Sequence, residues 1–150
     1  AEVYSILSSL SELPLSQEIA VTGSMNQFGD TQSVGGINEK IEGFFEVCRM
    51  QGLTGTQGVI IPATNVQNLM LKDEVLDAVH EGTFHIWSIE TLEEGIPILF
   101  GREAGELQAD GMYPEGTVNR AVTETLAGFE NTLKELQMPD ESDSASSSEE

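Results

Sequence analysis

The spacing of apolar residues changes several times along the chain, and each change marks an element. Val3, Ile6, Leu7 and Leu10 fall at helical spacing, so residues 1–13 read as a helix already under way at Ala1 and ended by Pro14. Glu18 to Ser24 predicts a short strand. Asn26-Gln27-Phe28-Gly29-Asp30 supplies the turn of a hairpin, and Thr31 to Val34 returns as a second strand before Gly35-Gly36. Ile37, Ile41, Phe44, Phe45 and Cys48 then form one stripe, which predicts a helix over 37–51 stopped at Gly52. Gly58 to Ile61 reads as a buried strand ended by Pro62. Short helices follow around 64–70 and 73–81, and a further strand runs over 83–89. Thr91 and Glu94 have capping-box spacing for a helix reaching about Phe100, with Pro97 inside it.

Residues 101–116, rich in glycine and acid, read as a connector. Val118, Val122, Leu126, Phe129 and Leu133 then predict a last amphipathic helix. The division that follows is a core over 1–100, a C-terminal extension with that helix over 101–138, and an acidic, Ser-rich disordered tail over 139–150. Strands alternating with helices make the core α/β, or α+β, with a small mixed sheet and flanking helices.

Charge narrows the function. The 150 residues carry 26 acids against 6 bases, a formal net charge of −20. Without the tail the balance is still 21 acids against 6 bases. Nucleic-acid binding needs clustered Lys and Arg to neutralise phosphates, and an anionic membrane surface needs the same. Neither partner fits this chain. No apolar run approaches the ~20 residues of a membrane helix, and no signal-peptide pattern opens the chain. Cys48 is the only cysteine, so neither an internal disulfide nor a thiolate zinc site can be built, and a cytoplasmic protein is the expectation. His80 and His85 form no HExxH pair, and no metal is expected in this chain.

The segment that can carry chemistry is GDTQSVGGINEK, residues 29–40. Two adjacent glycines between strand and helix allow close backbone approach. Lys40 follows in the first helical turn, roughly 60–90° from the centre of the apolar stripe at 100° per residue. Glu39, Glu42, Glu46 and Arg49 project to the other side. Desolvation beside the core and the positive end of the helix dipole would both disfavour the ammonium, as a general base requires. The same position also suits a lysine that lays its stem on the core and reaches water with its amine. No GxxxxGK[ST] occurs, so ATP is not assigned to these residues.

The run IAVTGSMNQFGDTQSVGGINEKIEGFFEVCRMQGLTGTQGVIIP, residues 19–62, resembles the proteolytic domain of Lon proteases, of the LonB and Lon-like kind. The shared features are a strand ending in V-x-TG, a hairpin, a GG-x-x-EK turn into a helix, and a strand ending in I-P. The likeness continues through FHIWSIETLEEGI and covers residues 1 to about 100; residues 101–136 resemble the extension of the Lon-like subgroup. The resemblance implies a Ser–Lys dyad acting on peptide bonds of unfolded polypeptide. It puts Lys40 on the catalytic lysine and Thr22 on a threonine that orients it. Thr22 is equally well read as a β-branched strand residue.

The resemblance further implies a homo-oligomer, usually a hexameric ring, served by an ATPase module elsewhere that uses ATP and magnesium. The family's nucleophile, in a motif like G-D-S-A, would fall about four residues before Ala1 by the family's spacing. On this expectation the chain carries the lysine without the serine and is inactive alone. Asp143-Ser144-Ala145-Ser146 looks like the missing motif, but a tail of Ser, Asp and Glu produces such a tetrapeptide easily. The alternative function is a non-catalytic Lon-like scaffold or oligomerisation domain.

Overall fold

A computed structural model describes residues 1–137. The elements run α1 (Glu2–Ser11), β1 (Ile19–Val21), β2 (Ser24–Met25), β3 (Thr31–Gln32), α2 (Ile37–Gln51), β4 (Gly58–Pro62), a 3-10 helix over Ala63–Asn68, α3 (Asp73–His80), β5 (His85–Ile89), α4 (Leu92–Phe100) and α5 (Val118–Gln137). β4 is buried at all five positions, as a strand covered on both faces has to be. It lies between β1 and β5 and pairs with both in parallel, Ile60 standing opposite Val21 and Trp87. Parallel neighbours need crossover connections, which α2 and α3 provide.

Alternation along β4 divides the core. Val59 and Ile61 join Ile37, Ile41, Phe45 and Cys48 of α2, Val75 and Ala78 of α3, and Phe84. Phe45 meets Phe84 edge-on, with ring centroids 5.2 Å apart. Ile60 serves the other face, with Tyr4, Ile89, Ile96, Leu99 and Val118. α2 and α3 therefore pack on one side of the sheet, and α1, α4 and the start of α5 on the other. Gly58 is required where β4 enters: a Cβ there would run into the His85 carbonyl and the Trp87 ring.

The fold is α/β, with a parallel main sheet and antiparallel pairing in the separate β2–β3 hairpin and in one bridge between Asp30 and Thr91. Asn26 builds that turn. Its Oδ1 accepts from the Phe28 and Asp30 N–H groups at 2.8 and 3.0 Å, and its Nδ2 donates to the Asp30 carboxylate at 2.8 Å. The hairpin rests on the end of β5, the Thr31 N–H and hydroxyl donating to Glu90 O and Ile89 O, each at 2.8 Å.

Some local expectations shift. The predicted helix around 64–70 is a six-residue 3-10 helix directly after Pro62. At the start of α4 the capping is offset: Glu94 accepts the N–H of Glu90 at 2.8 Å, and Thr91 makes no side-chain cap. Pro97 is accommodated within α4, a nine-residue helix ended at left-handed Gly101. His80 is exposed, and strand-borne His85 bonds Gly55 O at 2.8 Å and stacks on Trp87. Among the described residues no helix is long and apolar enough to cross a membrane, and no group of three or more His, Cys, Asp or Glu could hold a metal ion. Ser144 and the tail over 139–150 lie outside the described residues.

Candidate active site

Helices on the two faces of a parallel sheet leave the strand ends open, and ligands of such sheets bind beyond the carboxyl ends. Here the last residues of the three strands, Val21, Pro62 and Ile89, line one cleft of ≈ 420 Å³. The first turn of α1, from Ala1 to Tyr4, forms another wall; Thr22 to Met25, Thr31 and Leu92 complete it. α1 is held in place by Tyr4, whose hydroxyl donates to Leu92 O at 2.9 Å. Burial, with Glu93 and Glu94 adding to it, pushes that phenol up to about 12.

Thr22 follows directly on β1, and its N–H extends the sheet pairing by donating to Ile60 O at 3.0 Å. Its hydroxyl makes no hydrogen bond among the described residues, so a polar group at the cleft wall is left to serve a ligand or a neighbouring side chain. Gly23, at φ 150°, lets the chain turn away into the hairpin; a Cβ there would stand 3.1 Å from the Pro62 ring.

Lys40 sits in the first turn of α2 and donates its N–H to Gly36 O at 3.1 Å. Gly36 makes that start possible: it is left-handed, at φ 67° and ψ 32°, where a side chain would be strained. Asn65 of the 3-10 helix holds the chain just before it. Its Oδ1 accepts the Val34 N–H at 3.0 Å and its Nδ2 donates to the Val34 carbonyl at 3.0 Å. Asn65 is 2% exposed, and periodicity gave no sign of it, because a polar residue in a short irregular helix breaks no pattern.

Of the two readings its position allowed, the side chain of Lys40 follows the one that reaches water. It is exposed rather than beside the core, it forms no ion pair among the described residues, and it is not among the residues lining the cleft that Thr22 lines. The reason lies in the buried face of α2. Ile37, Ile41, Phe45 and Cys48 centre it on Ile41, while Phe44 is only half-buried and Val47 is 50% exposed. At about 100° per residue this leaves Lys40 roughly 95° from the centre, on the flank it shares with Val47 and Gly43.

A profile of the Lon protease (S16) C-terminal proteolytic domain matches residues 1–100, which include the sheet, the cleft, Thr22 and Lys40. The chain belongs to this family. It is 45% identical over 123 residues to a Lon protease homologue of Haemophilus influenzae, covering 82% of this chain and 20% of that protein. A Lon protease homologue of Escherichia coli is 50% identical over 99 residues, 66% of this chain and 17% of its own length. An archaeal Lon protease of Methanocaldococcus jannaschii is 32% identical over 100 residues, 67% of this chain and 13% of that protein. The chain thus spans a fifth or less of the relatives it matches. The Lon proteolytic-domain fold and membership anticipated from the TG and GG-x-x-EK elements are borne out.

Proposed function

We propose that this domain is the peptidase part of an ATP-dependent, cytoplasmic Lon-type protease that cleaves unfolded polypeptide with a Ser–Lys dyad. One observation carries the reading: Thr22 and the first turn of α1 share one cleft at the carboxyl ends of the three parallel strands. A serine about four residues upstream of Ala1, on a continued α1, would lie about 6 Å further along the helix axis. Its hydroxyl oxygen attacks the peptide carbonyl carbon, and its proton passes to the Lys40 amine. Lys40 returns that proton to the leaving amine, and water then hydrolyses the acyl-enzyme. Thr22 orients the lysine through its free hydroxyl. Lys40 is exposed in residues 1–137, and the serine-bearing segment would bring the nucleophile to its amine.

ATP and magnesium act at a separate ATPase module, since residues 1–150 contain no P-loop. Assembly as a homo-oligomeric ring, hexameric by resemblance, encloses the cleavage sites. The scaffold reading is favoured by one observation, that Lys40 is not on the cleft wall.

Covalent labelling separates the two. A protein extended upstream through the serine is treated with a fluorophosphonate and digested for mass spectrometry. The protease reading predicts a single adduct on that serine, lost in Lys40→Ala; residues 1–150 alone stay unlabelled. An extended, folded and assembled protein that takes no label contradicts it.

A further inference from the structure

Tyr4 is the one apolar side chain that α1 buries, and it lies in the turn that walls the cleft. Its ring belongs to the cluster of Ile60, Ile89, Ile96 and Leu99. A phenyl ring would fill that place equally well, yet α4 gives up a side chain at Gly95 to admit the oxygen. The hydroxyl donates to Leu92 O, and the N–H of the same Leu92 donates to Gly29 O of the hairpin turn at 3.2 Å. Leu92 thus joins the two walls of the cleft, α1 through its carbonyl and the hairpin through its N–H. Thr31 adds its bonds to Ile89 O and Glu90 O, so residues 89–92 carry both walls.

We infer, on the Ser–Lys reading, that Tyr4 is a positioning residue for the nucleophile. Its bond to Leu92 O fixes where the upstream continuation of α1 sets the serine hydroxyl against Thr22 and the hairpin. A ring packed on aliphatic neighbours still allows the helix to slide and tilt, whereas a hydroxyl–carbonyl bond has a preferred length and direction. The serine would stand about eight residues, or ~12 Å, from Tyr4 along the helix axis. A tilt of about 5° at Tyr4 therefore moves it ~1 Å, a misplacement that can cost on the order of 100-fold in rate.

The upstream-extended protein carries the test. Tyr4→Phe keeps the ring and deletes only the bond. Well below its melting transition, kcat for a fluorogenic peptide should fall about 10-fold or more while KM stays within about twofold. Fluorophosphonate labelling of the serine should slow by the same factor as kcat. Gly95→Ala crowds the same hydroxyl and should also lower kcat, and adding it to Tyr4→Phe should cost little more. Ser8→Ala removes a bond at the far end of α1, from Ser8 Oγ to Leu13 O at 2.6 Å, and should keep the parent kcat even where it melts earlier. A labelled, active parent whose Tyr4→Phe variant keeps its kcat, or changes only in KM, overturns the inference alone. So does an equal loss of kcat in Ser8→Ala. A folded, assembled parent that takes no label overturns the dyad reading and this inference with it.

Discussion

The side-chain amide of Asn65 closes a two-bond ring on the backbone of Val34, accepting its N–H and donating to its carbonyl, each at 3.0 Å. It acts as a one-residue strand partner for the chain that leads into Gly35-Gly36 and α2. The contact ties the hairpin-to-helix turn to the 3-10 helix after β4, beside the bonds in which Asn38 donates to Asn68 O at 3.1 Å and accepts the Met70 N–H at 2.8 Å. The start of α2, and Lys40 with it, is thereby fixed to the sheet.

Asn65→Ala leaves both Val34 groups without that partner. The expected loss is about 1–3 kcal/mol of stability, measured by urea denaturation. Asn65→Asp keeps the acceptor and loses the donor, so it should fall between the two. Equal stability of Asn65→Ala and the parent would mean that the clamp is dispensable.

α1 and α4 meet where Gly95 has no side chain: a Cβ there would overlap the Tyr4 hydroxyl. Gly95→Ala should therefore destabilise by about 1–3 kcal/mol through overpacking, despite the better helix propensity of alanine. Tyr4→Phe removes the overlapped atom together with its bond to Leu92. In the double variant the two losses should sum to less than their separate values, read from a denaturation cycle.

Tyr4 also gives an alkaline signature. Its folded phenol is pushed up to about 12, by burial first and then by Glu93 and Glu94. The unfolded phenol titrates near ~10. Below that value the contribution is complete. As pH rises toward 12, the unfolded chain releases the proton that the folded chain still holds, and stability falls. Tyr4→Phe should show a shallower loss over this window. Parallel curves for parent and variant would contradict the assignment.

Thr22 contributes its N–H to the sheet and leaves its hydroxyl free among the described residues. Thr22→Val should thus change the stability of residues 1–150 by less than about 1 kcal/mol. In an upstream-extended protein the same change should lower kcat by about 10–100-fold, and Thr22→Ser should restore most of it. A loss confined to KM would make Thr22 a substrate contact instead.

Much of this was legible in the chain because its strongest signals are local. α2 begins and ends where the Ile37–Cys48 stripe and Gly52 put it, and the buried run at β4 is continuous, as a central parallel strand has to be. Thr22 and Lys40 were singled out through the TG and GG-x-x-EK elements, and of the two only Thr22 lines the cleft. What escaped depends on neighbours. The exposure of Lys40, at the flank of the stripe, depends on what packs beside α2, which the stripe alone does not reveal. The open half of α5, from Leu126 onward, has the same periodicity as its buried start, since a helix pattern records an apolar face without recording what covers it. Asn65 carries no pattern at all; its role exists only once residues 34 and 65 meet.

Lys40 is proposed to be the proton-transfer partner of a serine carried upstream on α1. Fluorogenic-peptide hydrolysis by the upstream-extended protein, beside its Lys40→Ala and Lys40→Arg variants, tests it most directly. Activity is expected in the extended protein, with at least about 100-fold loss in both variants, since arginine keeps the charge but cannot take up the proton. Activity that persists in Lys40→Ala would contradict it.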